Sequence, residues 1–222
     1  REPRPETDSS WAIVSVDSRS DTLIIEGNLI EVPAAMRIAI EVGVPVQLHD
    51  NTIVGLDNGT DASRFDTTAV DVSILPSNAT GEVSMVGNAI GARDGIDQVF
   101  EALELFVDDD DSNGEDLWGL WVSRFSNNVL NNPESEPVHL RDNTGNLTSE
   151  ITPLIAEGNK QGELQLCPGT FTPRDGSPTV DFGERTGRDF YGNRVFNGVG
   201  DAGAVERQGL AACPPLPLPV TR

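Results

Sequence analysis

Asp109, Asp111, Asn113 and Asp116, with Gly114 between the last two, have the spacing of an oxygen-ligand metal loop. Calcium takes six to eight oxygens, and acidic side chains two residues apart on a glycine-turned loop can converge on one ion. The pattern predicts a Ca²⁺ site at these four residues. Leu120 stands where an EF-hand would place its closing glutamate, so the alternative is a solvated acidic loop.

The remaining reactive side chains do not gather into a catalytic set. His49 and His139 each lie on a strand-like run shortly before an Asp-Asn pair, where a structural role is expected. Lys160, the only lysine, sits between Gly158 and Gly162 in a stretch expected to lie off any regular repeat. A lyase acting on acidic polysaccharide would need a basic residue to take the proton beside a masked carboxylate. A glycoside hydrolase would need paired carboxylates. No serine lies in a nucleophile elbow. No catalytic residue is therefore assigned. Cys167 and Cys213 are expected to form a disulfide, which would contribute about 4 kcal/mol by loop closure; two free buried thiols are the alternative. Asn58, Asn78 and Asn146 begin glycosylation tripeptides, which are common by chance.

Four other asparagines carry a different chemistry. Asn28, Asn51, Asn88 and Asn128 are spaced by 23, 37 and 40 residues, and each sits between apolar residues at matching offsets. Leu23, Ile25 and Ile30 frame the first, Val46, Leu48 and Ile53 the second. Val83, Met85 and Ile90 frame the third, Val122, Phe125 and Leu130 the fourth. Each unit reads as strand, turn and short strand. Such a unit cannot bury its apolar face alone, but a stack of them can, which predicts a solenoid. Asn tolerates left-handed backbone at the corner, and its amide both donates and accepts, so stacked copies can satisfy one another.

The stack needs elements around it. Residues 1–9 read as an extended N-terminal arm, residues 10–151 as the coils, and residues 152–212 as a last coil with a closing segment. Residues 213–222 read as a Pro-rich tail. The first strand is expected over Trp11 to Val16, with no amphipathic helix before it to cap the first coil. Asp57 to Thr68 reads as a loop leaving the stack. Ile96 to Val107 fits helical and strand periodicity equally and is placed inside an insertion. Val138 to Thr144 echoes Val46 to Thr52 and suggests a further coil, and Glu163 to Leu166 reads as a strand.

The totals agree with a thin, loop-rich β structure. Of 222 residues, 22 are Gly and 15 are Pro, while aromatic content is 5%. A net charge of −21 repels phosphate backbones, so no nucleic-acid partner is expected. An acidic chain with one lysine suits a salt- or calcium-rich medium outside the cell. No apolar run is long enough to cross a membrane.

Residues 175–206 carry the most specific motif. Asp175-Gly-Ser-Pro-Thr-Val-Asp-Phe-Gly183 precedes Arg188-Asp-Phe-Tyr-Gly-Asn-Arg194 and Gly198-Val-Gly-Asp-Ala-Gly-Ala-Val-Glu206. This stretch resembles the end of bacterial secreted right-handed parallel β-helix proteins of the choice-of-anchor Q kind. Ser177, Pro178, Asp181, Gly183, Asp189, Phe190, Gly192, Arg194, Asp201, Gly203, Ala204 and Glu206 fall on that pattern. Thr179-Val180, Phe182, Ala202 and the missing proline before Arg194 depart from it. The resemblance implies an all-β, right-handed parallel β-helix of about five coils, with loop insertions and an irregular closing segment. It implies a secreted or surface protein and no particular reaction. Asp189, Asp201 and Glu206 are expected to pair with Arg188 or Arg194 and lock the last coil; an ion bound there is the alternative. The expected function is a non-catalytic extracellular structural or adhesive module that self-assembles end to end or binds a cell-surface or matrix component. The alternative is a polysaccharide-binding or lyase-like polysaccharide-degrading β-helix protein.

Overall fold

The structure is a computed structural model that describes residues 10–11, 22–32, 36–42, 45–55, 68–74, 83–92, 101–107, 122–131, 138–142, 158–195, 198–209 and 213. Among these residues there are fourteen strands and no helix. They are β1 (Ser10–Trp11), β2 (Leu23–Glu26), β3 (Leu29–Val32), β4 (Met36–Val42), β5 (Val46–His49), β6 (Thr52–Gly55) and β7 (Thr68–Ile74). Then follow β8 (Val83–Val86), β9 (Ala89–Ala92), β10 (Glu101–Val107), β11 (Val122–Ser126), β12 (Val129–Asn131), β13 (Val138–Asp142) and β14 (Lys160–Gln161).

Every pairing between these strands is parallel, and each pair joins a strand to the one three further along the chain, except that β12 pairs with β14. Three sheets result, in the orders β1-β4-β7-β10-β13, β11-β8-β5-β2 and β14-β12-β9-β6-β3. A parallel β-helix produces this pattern, because each turn of the chain adds one strand to each sheet.

The register stacks like on like. Leu23, Val46, Val83 and Val122 form one column, and Ile25, Leu48, Met85 and Phe125 the next. Ile30, Ile53, Ile90 and Leu130 form a third across the corner. Leu48, Ile53, Met85, Ile90 and Leu130 are fully buried. Each such side chain contributes about 1.5–3 kcal/mol by leaving water. Val122 and Phe125 are three residues apart where the other units have two. A β-bulge between Val122 and Arg124 absorbs the extra residue and keeps Phe125 opposite Met85.

Several expectations change. Residues 96–100 lie outside the described residues, and residues 101–107 are no insertion: they form β10, an interior strand of its sheet paired with both β7 and β13. Its strand alternation prevails because both neighbours offer unpaired backbone. Val138–Asp142 does not repeat β5 but pairs with β10, completing the turn that β11 begins. Lys160 is not off the stack; it starts β14 and pairs with Val129. Glu163 to Leu166 is not a strand, since only Leu166 makes an isolated antiparallel bridge, to Pro173. Of the strand expected over Trp11 to Val16, Trp11 falls in β1 (Ser10–Trp11), and of the loop expected over Asp57 to Thr68, Thr68 instead opens β7; residues 12–16 and 57–67, the arm 1–9 and the tail residues 214–222 lie outside the described residues. Among the described residues no helix is long and apolar enough to cross a membrane.

Candidate functional site

The corner between the second and third sheets repeats a two-residue turn. Its first residue is left-handed in all five copies: Gly27 (φ 66°), Asp50 (53°), Gly87 (68°), Asn127 (58°) and Gly158 (84°). The second residue is the ladder asparagine, so the left-handed backbone belongs to its predecessor and not, as expected, to the asparagine itself. Asn51 Oδ1 accepts from the Asn28 amide N–H at 3.0 Å and from Asn28 Nδ2 at 3.2 Å. Asn88 Oδ1 accepts the same pair from Asn51, and Asn128 Oδ1 the same pair from Asn88. A fifth rung, Asn159, accepts from Asn128. The other Nδ2 hydrogen of Asn51, Asn88, Asn128 and Asn159 goes to the carbonyl of Ile25, Leu48, Met85 and Phe125 respectively. Asn51, Asn88 and Asn128 are wholly buried, and each orphaned bond there would cost about 1–3 kcal/mol.

Only two of the five left-handed residues carry side chains, and both hold the closing segment. Asn127 Nδ2 donates to the Phe182 carbonyl at 3.1 Å. Asp50 faces Arg185, whose Nε lies 3.6 Å from Asp50 Oδ2. Arg185 Nη2 donates to the Asp50 carbonyl at 2.8 Å and Nη1 to the Ala204 carbonyl at 2.7 Å. Asp50 Oδ1 is buried without a hydrogen-bond partner. It lies against Gly87, where any Cβ would overlap it. Burial raises the Asp50 carboxyl above the ordinary carboxylate range. Arg185 opposes that shift, Glu26 adds to it and His49 opposes it.

The closing segment covers the outer face of the third sheet. Thr52, Val54, Ala89 and Val129 point away from the interior columns, yet all are buried. Val54, Ala89 and Val129 pack with Leu164 and Ala202, with Leu166, Phe171 and Phe182 alongside. Gly203 (φ 101°) comes so close that a Cβ there would overlap Thr52 Oγ1. The Gly203 amide donates to the Gly87 carbonyl and the Ala204 amide to Thr52 Oγ1 at 2.8 Å. Lys160 Nζ donates to the Pro178 carbonyl at 3.1 Å and lies 3.8 Å over the Phe182 ring.

The motif carboxylates work as backbone caps. Asp201 accepts from the amides of Asp181 (2.7 Å) and Arg207 (2.6 Å). Glu206 accepts from the Asp201 amide at 3.0 Å. Asp189 accepts from the Asn193 and Glu206 amides. The expected lock to Arg188 and Arg194 gives way to these contacts because irregular backbone leaves buried amides that need acceptors. Arg188 Nη1 donates to the Gly192 carbonyl, and Arg194 is exposed, with its carbonyl taken by Gln208 Nε2. Burial raises the Asp201 carboxyl despite its two amide donors. Cys167 and Cys213 are joined as a disulfide.

Between the corner and the closing segment lies a cleft of about 540 Å³. Glu26, Gly27 and Asp50 form its stack side, and Glu184 to Phe190 its opposite wall. At its edge Arg124 Nη2 donates to both oxygens of Glu184, at 2.7 and 2.6 Å. Phe190 is 51% exposed and meets Tyr191 edge-to-face, with ring centroids 5.2 Å apart. Tyr191 Oη donates to the Thr170 carbonyl, which fixes that ring behind Phe190.

Asp109, Asp111, Asn113 and Asp116 lie outside the described residues, as do Asn58, Asn78 and Asn146. Among the described residues no three acidic, His or Cys side chains gather to hold a metal ion. His49 Nε2 is 2.9 Å from Ser84 Oγ on the neighbouring strand; His139 falls on β13. The sequence reading missed Asn159, Asp50, Arg185, Glu26 and Phe190 as a group. Gly158-Asn159 repeats the corner dipeptide, and that signal was available. No protein-family model, curated protein or solved structure matches the chain.

Proposed function

We propose that the chain is a right-handed parallel β-helix of about five coils, ending in a choice-of-anchor Q-like closing segment. It serves outside the cell as a non-catalytic structural or adhesive module whose copies add end to end. The observation that carries this reading is the polarity of the asparagine ladder. Every rung donates to the next Oδ1, so one end of the ladder is an acceptor and the other a donor. Asn28 forms the acceptor end and is exposed, and among the described residues β2 and β3 are the last strands of their sheets there. Open strand edges template further pairing. A head-to-tail contact along the axis of the stack, where the rotation does not close a ring, builds rods.

Light scattering and electron microscopy, first with calcium and then with chelator, test the reading. Rods longer than one subunit are expected. Rods that need calcium would give Asp109, Asp111, Asn113 and Asp116 their metal. A monomeric mass at all concentrations and calcium levels would refute assembly. A second reading, polysaccharide binding along the side of the coil, is favoured by the cleft, which sets arginine and carboxylates beside an exposed aromatic ring.

A further inference from the structure

We propose that the cleft between the Gly27–Asp50 corner and residues 184–190 binds a neutral oligosaccharide, with Phe190 as its stacking platform. The proposal rests on the polysaccharide-binding reading and names the ligand class for it. The volume, about 540 Å³, lies within the range of small-molecule sites and takes a short run of sugar rings. The exposed Phe190 ring, buttressed by Tyr191, offers an apolar face with a negative quadrupole, which suits the C–H face of a pyranose.

The charges select against the other candidates. Glu26, Asp50, Glu184 and Asp189 line the cleft against Arg185 and Arg188. Arg185 is committed to two carbonyls and the Asp50 carboxylate, and so is not offered to a ligand anion. In a chain of net charge −21 this leaves an acidic cleft that repels uronates and sulfated sugars. The arginines in the wall disfavour a cationic ligand in turn. Hydroxyl groups meet neither penalty: carboxylates such as Glu26 accept from them, and Arg188 and Thr186 donate to them.

The test is binding of neutral hexasaccharides (cellulose-, mannan- and xylan-derived) and of hexagalacturonate, by calorimetry and NMR titration of the full chain. A neutral sugar should bind with a Kd of about 0.1–1 mM. Phe190→Ala should weaken it by about tenfold or more, and Glu26→Gln by a few fold. Both residues line the cleft and are exposed, so thermal unfolding should match wild type. Binding of the uronate in place of neutral sugars, with loss in Phe190→Ala, overturns the ligand class while the polysaccharide reading stands. Sugar binding that Phe190→Ala leaves unchanged overturns the cleft as the site. No binding by any of the four overturns both.

Discussion

The asparagine corner and the closing segment both bury polar groups, and they satisfy them by opposite means. At the corner, copies of one side chain satisfy each other, so Asn51, Asn88 and Asn128 each answer the same demand at the same place. Among the described residues of 162–209 no partner repeats; Asp189, Asp201 and Glu206 each cap whichever backbone amides the local path leaves exposed. A repeated network transmits damage along the stack. A set of separate caps confines it.

The largest expected effect follows from that difference. Asn88→Leu removes the acceptor of Asn51 and the donor to Leu48 and Asn128 at once. A loss of about 3–6 kcal/mol is expected in urea unfolding, with the stack unfolding as a unit. Asn28→Ala, at the exposed end, should cost under about 1 kcal/mol. Equal losses at the two positions would dissolve the distinction between ladder interior and ladder end.

Next in size is the disulfide. Replacing Cys167 and Cys213 by Ser should cost about 2–4 kcal/mol. Hydrogen exchange should quicken in the closing segment while the Asn51 and Asn88 amides keep their protection. Asp201→Ala, which orphans the Asp181 and Arg207 amides, should cost about 2–3 kcal/mol and show the same confinement. Loss of protection at Asn88 in either variant would join the two regions into one cooperative unit.

A smaller effect should appear with pH. Asp50 and Asp201 both have folded values raised above 3.8, chiefly by burial. The folded state therefore holds more protons than the unfolded chain between 3.8 and those raised values. Stability from these two groups is full below 3.8 and is lost as pH rises through the folded values. Thermal unfolding should thus gain a stabilising contribution on going from neutral to weakly acidic solution, and Asp50→Asn should flatten part of that slope. An unchanged slope in Asp50→Asn would remove Asp50 from the effect. The smallest change is expected at the exposed Arg124–Glu184 pair, where Arg124→Ala should cost under about 1 kcal/mol, and less at high salt.

How far the sequence could be read follows the same division. Asn28, Asn51, Asn88 and Asn128 were visible as repeats because apolar residues at fixed offsets marked them. Asn159 was not, because Gln161 stands where the other units have Ile or Leu, paired with Leu130 at the end of the column. β10 was ambiguous because Leu103, Leu105 and Val107 alternate inside a run that also fits a helix. The cleft was illegible: Asp50 and Arg185 are 135 residues apart, and nothing local to either reports the other. Asp50 did carry one signal, an acid where three other units have Gly before Asn. The capping carboxylates were legible as a motif but not as chemistry, since a sequence shows arginines nearby and does not show which amides are left without partners.

Sedimentation velocity of the wild type and of Asn28→Lys, over a wide concentration range, addresses end-to-end assembly most directly. The wild type should grow beyond its 23.8 kDa with concentration, while the charged variant stays at a single subunit. A wild type fixed at 23.8 kDa, or a variant that grows equally well, would contradict the ladder end as the site of addition.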